Sequence, residues 1–150
     1  MEKELKVSAI KNGTVIDHIP AKNLFKVISL LGLEKIDNQV TFGTNLESQK
    51  LGRKAIIKVS DKFFEDAEIN KIALVAPQAK LNIIKDYEVI EKKSVAVPDE
   101  INGIVKCFNP KCVTNHQPIP TRFSLVSKLP IALKCHYCEK VTSEEQMVII

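Results

Sequence analysis

The sequence predicts an α+β chain in two parts, a ferredoxin-like β-α-β-β-α-β sandwich followed by a small all-β module. Three observations predict it: two amphipathic helical stretches set among strand-like runs, a polar stretch with no period near residue 97, and four cysteines confined to the last third.

The elements follow in order. Leu5 to Lys11 alternates as a half-buried strand does, and Asn12-Gly13 marks a turn. Pro20 opens a helix along which Leu24, Val27, Ile28 and Leu31 form one apolar stripe, until Gly32 ends it. Gln39 to Leu46 and Arg53 to Ser60 flank the turn-like Glu47-Ser48-Gln49-Lys50 and read as a hairpin. Glu65, Asp66 and Glu68 suit the positive end of a second helix, Ile69, Ile72 and Ala73 supply its buried side, and Ala76-Pro77 stops it. Leu81 to Ile84 and Tyr87 to Ile90 are again strand-like. Lys92 to Asn102 is polar, contains Pro98 and has neither period, so it sets the boundary between domains 1–97 and 98–150. Thr121 to Val126 and Gln146 to Ile150 then supply strands of the second domain.

Cys107, Cys112, Cys135 and Cys138 fall as C-x4-C and C-x2-C, the spacing of a tetrahedral four-thiolate clip. Such a shell is closed, so one structural Zn2+ per chain is expected, with no open position for a reacting water. A segment of roughly 50 residues needs a staple of this kind, which makes the second domain zinc-ribbon-like. The charged start of the chain lacks a signal-peptide core, which argues against disulfides and for a cytoplasmic protein. A redox dithiol at Cys135-His136-Tyr137-Cys138 leaves the upstream pair without a purpose. His116 and His136 are surface or outer-sphere histidines in this reading, because four thiolates already complete the shell.

The charge is +4, from 22 basic and 18 acidic residues in a mixed distribution. Arg53 and Arg122 are the only arginines, and two tyrosines with no tryptophan give few stacking platforms, so base-reading nucleic-acid binding is disfavoured. No stretch is apolar enough to span a membrane. No nucleophile-base pair, P-loop or G-x-G-x-x-G is present, and no catalytic residue is assigned. Lys54 and Lys58 share one face of their strand while Ala55, Ile57 and Val59 take the other. With alpha carbons about 13 Å apart at ~3.3 Å per residue, the two lysines serve a ligand as long as a nucleoside triphosphate, or simply a solvated face. Asp17 and His18, which interrupt the apolar run before Pro20, either cap the helix or line a site.

Lys11 to Ala21, Gly52-Arg53-Lys54, Ala76 to Ala79, Asp86 to Val89, Ala132 to Cys135 and Tyr137-Cys138-Glu139 together resemble the regulatory chain of aspartate carbamoyltransferase over essentially the whole length. The resemblance implies a non-catalytic subunit of pyrimidine biosynthesis. In this family regulatory homodimers bridge catalytic-chain trimers and bind the nucleotide effectors CTP, ATP and UTP. It further implies that Asp17, Lys58 and Lys92 meet ribose and phosphates, with His18 and Val15 beside the triphosphate and Lys54 auxiliary. Val7, Ala9, Ile10, Asn82, Tyr87 and Val89 would surround the base, and Asn109, Lys111 and Glu139 would face the catalytic chain. Glu91 departs from the glycine of enteric members, implying a weaker phosphate site. The competing expectation is a zinc-ribbon nucleic-acid-binding protein.

Overall fold

The computed structural model describes residues 9–150, and among them the first strand begins beyond the amino-terminal alternation. β1 spans Gly13–Pro20, whereas Ala9 to Lys11 belong to no strand and Leu5 to Ser8 lie outside the described residues. Gly13 has φ +142° and packs so closely that a Cβ there would run into the Val59 carbonyl oxygen. The alternation of β1 is then interrupted by a register shift between Ile16 and Ile19, where His18 takes φ 60°. This bulge turns both isoleucines, three positions apart, into the same core.

A 3-10 turn after Pro20 leads into α1 (Leu24–Leu30), and Gly32 with φ 65° ends it, as its position predicts. The hairpin β2 (Val40–Ser48) and β3 (Gly52–Ser60) follows, then α2 (Asp66–Asn70), β4 (Lys80–Lys85) and β5 (Glu88–Ser94). A capping box starts α2: Glu65 accepts from the backbone of Glu68, whose side chain accepts the Glu65 N–H. The sheet runs β2-β3-β1-β4-β5 with every neighbouring pair antiparallel. This is the split βαβ arrangement with β5 added beside β4. Leu24, Val27, Ile69 and Ile72 are buried together with the inward residues Ile16, Ala55, Ile57, Val59 and Leu81. The core therefore lies between the helices and one face of the sheet, leaving the other face open to a ligand.

β5 extends to Ser94, so Lys92 and Lys93 are strand residues rather than linker. The compact units divide at Met1–Ala96 and Val97–Ile150. In the second unit β6 (Glu100–Asn102), β7 (Val105–Lys106), β8 (Arg122–Lys128), β9 (Ile131–Cys135), β10 (Val141–Ser143) and β11 (Val148–Ile149) make two small sheets, β10-β9-β8-β6 and β11-β7. Ile101, Val105, Phe123, Ile131 and Leu133 form its apolar core, and three of the four cysteines are buried with them. That all-β unit with its cysteine cluster has the zinc-ribbon-like form expected, and the chain as a whole is α+β. No helix among the described residues is long and apolar enough to cross a membrane.

Candidate functional site

The two cysteine pairs meet. Their four sulfurs all lie within 4.8 Å of one another, with Cys107 Sγ 3.6 Å from Cys138 Sγ and Cys112 Sγ 3.7 Å from Cys135 Sγ. Disulfides are about 2.0 Å long, so these are free thiols. Four sulfurs bonded at about 2.3 Å to a tetrahedral ion lie about 3.8 Å apart, close to both measured separations. The donor set therefore fits a closed four-thiolate metal shell.

Backbone geometry aims the donors. In the first pair the Cys112 N–H donates to the Asn109 carbonyl at 3.0 Å and Asn115 Nδ2 to the Cys107 carbonyl at 3.0 Å; in the second the Cys135 N–H donates to the Lys140 carbonyl and the Glu139 N–H to the Cys135 carbonyl, each at 3.0 Å. Burial pushes the Cys107 thiol up to about 12 and raises Cys135 as well. Burial acts the same way on Cys138, but hydrogen bonds from the Asn109 side chain, the Lys140 backbone and the neighbouring thiols outweigh it and hold that group at about 7. A metal cation would displace the protons from all four, since the thiolate is the ligating form. His116 Nε2 meets the Pro110 carbonyl at 2.8 Å and His136 packs edge-on against Tyr137, so neither joins the cluster.

The second candidate is the open face of the first unit's sheet. Strand register puts Lys58, Val15, Asn82 and Lys92 side by side across β3, β1, β4 and β5. Partners in register share a face, and strands are about 4.8 Å apart, so the outer lysines sit about 14 Å apart at backbone level. Lys92 is on the open side because its neighbour Lys93 reaches Asp66 of α2 at 3.1 Å on the other. Glu91, in register with Ile83, also faces the helix side, away from this row. Burial lowers the pKa of Lys58.

Two residues along, Asp17 binds Lys54 Nζ at 3.0 Å, and its Oδ1 accepts the His18 N–H at 2.6 Å. His18 Nδ1 is buried with no partner among the described residues. Asp17 therefore holds Lys54 and shapes the bulge instead of capping α1, where the cap position is taken by Asn23 without a side-chain cap bond. At the opposite end of the face, Tyr87 N–H donates to the Lys11 carbonyl and Asp86 N–H to Asn12 Oδ1, tying the β4–β5 turn to the segment that contains Ile10. Ala9 is exposed on that segment, Val89 pairs with Ile84, and Val7 lies outside the described residues. Sequence reasoning misses Lys80, which is in register with Asp17 on the same face, with Nζ 2.8 Å from Ser94 Oγ. Only the pairing of β1 with β4 reveals it.

The exposed surface corrects one expectation. Phe25, Phe42, Phe63 and Tyr87 are all exposed, so a low aromatic content does not deprive the surface of aromatic platforms. Phe25 and Phe42 pack edge to face at 5.9 Å, and Lys85 Nζ sits 5.5 Å from the Phe63 ring centre. In the second unit Asn109 is half-buried within the C-x4-C turn, Lys111 is exposed beside it, and Glu139 with φ 65° follows Cys138. Glu139 also lines a polar cavity of about 260 Å³ with Arg122, Lys134 and Glu100.

Comparison with known proteins accounts for both regions. Residues 5–96 match the family described as aspartate carbamoyltransferase regulatory chain, allosteric domain, and residues 99–148 match its metal binding domain. Aspartate carbamoyltransferase regulatory chains from Bacteroides thetaiotaomicron and Thermococcus sibiricus are 57% and 56% identical, covering 99% and 98% of this chain and 97% of each relative. The Pyrococcus horikoshii chain of that name is 54% identical over 147 residues, 97% of each. This protein belongs to the family of aspartate carbamoyltransferase regulatory chains, with an allosteric and a metal-binding domain and no catalytic role of its own.

Proposed function

We propose that residues 1–97 bind the nucleotide effectors CTP, ATP and UTP, and that residues 98–150, folded around one structural Zn2+, hold the catalytic chains. Two regulatory chains pair as a homodimer and bridge catalytic trimers in the cytoplasm. The observation that carries the nucleotide reading is the row Lys58, Val15, Asn82 and Lys92, flanked by Asp17 with Lys54. The lysines stand too far apart for one phosphate. Their spacing suits a ligand with a base and ribose at one end and a phosphate chain at the other, and an aspartate among lysines suits a ribose hydroxyl donor. His18 turns its Nε2 toward that carboxylate, 4.0 Å from Asp17 Oδ2, and its unpartnered Nδ1 suits a phosphate or hydroxyl.

Each nucleotide acts by binding one quaternary state of the assembly more tightly than the other. Couplings of this kind are typically about 1–3 kcal/mol, roughly 5- to 150-fold in affinity. Zinc is the metal of choice for four thiolates in a closed site, and in small modules it supplies folding free energy directly.

Calorimetric titration of the zinc-loaded chain with CTP, ATP and inorganic tripolyphosphate tests the nucleotide reading. Saturable nucleotide binding that Lys58→Ala and Lys92→Ala weaken is expected. Equal affinity for every polyanion, with steep loss in salt, would instead support a nucleic-acid-type phosphate surface.

A further inference from the structure

Lys54, Lys58, Lys80 and Lys92 all stand on the open face of the first unit's sheet, and they differ in what surrounds them. Lys54 is matched by Asp17 at 3.0 Å, whereas Lys80 of β4 and Lys92 of β5 make no ion pair among the described residues. Lys80 donates to Ser94 Oγ at 2.8 Å, which turns its ammonium toward β5. Because Lys80 is in register with Ser94 and Asn82 with Lys92, the two lysines are diagonal neighbours about 7–8 Å apart. A phosphate held by two ammoniums at about 2.8 Å each bridges that gap, while Lys58 and Lys92, about 14 Å apart, cannot share one. The neighbouring carboxylates are committed elsewhere. Asp17, the register partner of Lys80 on β1, holds Lys54 and accepts the His18 N–H. Glu91 faces the helix side, where Asp66 takes Lys93 at 3.1 Å. Two like charges with no acid between them repel each other until an anion arrives.

We infer that Lys80 is a phosphate-binding residue of the effector site, which closes with Lys92 on the far phosphates and sets the preference for a triphosphate over shorter nucleotides. Asp17 on β1 is separated from Lys80 on β4 and Lys92 on β5 by one and two strand spacings, about 5 and 10 Å. That is the stretch from a ribose hydroxyl to the later phosphates of a nucleotide. The Ser94 hydroxyl holds the Lys80 ammonium in place before a ligand binds, so less side-chain freedom is lost on binding. Neither Lys80 nor Ser94 is among the residues that the family resemblance implies. Strand register alone brings them to the phosphate end of the face.

This role rests on the nucleotide reading of the same face, and the test separates the two. Full-length, zinc-loaded wild type, Lys80→Gln, Ser94→Ala and Lys93→Gln are titrated calorimetrically with CTP, CDP and CMP. Lys80→Gln is expected to bind CTP about tenfold more weakly, the loss of one charge-assisted hydrogen bond, and CMP as wild type does. Its preference for CTP over CMP therefore falls by the same factor. Ser94→Ala is expected to show a smaller loss in the same direction. Lys93→Gln removes an equal charge one residue from Lys92 but on the helix side, and is expected to match wild type. An unchanged preference for CTP over CMP in Lys80→Gln would overturn the inference. So would an equal loss for all three nucleotides that Lys93→Gln reproduces, because that is the signature of net charge alone. Failure of wild type to bind any of the three would overturn the nucleotide reading itself.

Discussion

The two units solve the problem of holding a fold in opposite ways. The first buries a continuous apolar layer, with Ile16, Ile19, Leu24, Ile57, Ile69, Ile72 and Leu81 all essentially inaccessible to solvent, and needs nothing in its middle. The second has five large apolar side chains in its core, and its cysteines take the place that more of them would fill. A sheet supported by its own core can leave a whole face free for a ligand. A unit supported by a metal spends its special chemistry on architecture, and what it offers a partner is the surface that the metal shapes.

Several perturbations would break or sharpen that contrast, the largest first. Stripping zinc, or replacing Cys135 by Ser, is expected to unfold the second unit while the first keeps its structure, because structural zinc in small modules contributes about 10–16 kcal/mol. Circular dichroism and hydrogen exchange resolved by residue would read it, and simultaneous collapse of both units would end the contrast. Ile57→Ala makes the converse change. It should cost about 2–5 kcal/mol of first-unit stability with the cobalt-thiolate spectrum unaltered, measured by urea unfolding followed at each unit.

Lys92→Ala is expected to lower triphosphate affinity by about 1.5–3 kcal/mol, the range for charge-assisted hydrogen bonds, with no change in urea midpoint. Acid acts on the other unit. Burial raises the Cys107 and Cys135 thiols, so metal must displace protons there, and zinc affinity should fall at least about tenfold per unit as pH drops below 7. The stability that the metal confers is therefore present at neutral pH and lost on acidification, while a competitive chelator titration at each pH gives the slope. Removing the α2 capping box with Glu68→Ala is the mildest change, about 0.5–2 kcal/mol, and should appear only in the first unit's thermal midpoint.

Legibility from sequence differs between the units for physical reasons. Metal ligands announce themselves by identity and spacing, so the C-x4-C and C-x2-C pairs alone point to the cluster. The open face is half legible: the alternation of Lys54 and Lys58 with Ala55, Ile57 and Val59 holds in β3, because that strand is regular. β1 escapes a strict two-residue period because that period is broken at Asp17 and His18. Two buried isoleucines with two polar residues between them are the trace of the bulge. The end of β5 resembles a linker because an edge strand carrying Glu91, Lys92 and Lys93 has the composition of one. Neighbours across strands, such as Lys80 beside Asp17, leave no mark in a single sequence.

The most direct measurement is sedimentation of the chain mixed with the catalytic chain of the same organism, with and without zinc, alongside CTP binding to each form. The account predicts a large complex only with zinc, and CTP binding in both forms. A complex that forms equally well after zinc is stripped, or CTP binding that disappears with the metal, would contradict the division of labour between the two units.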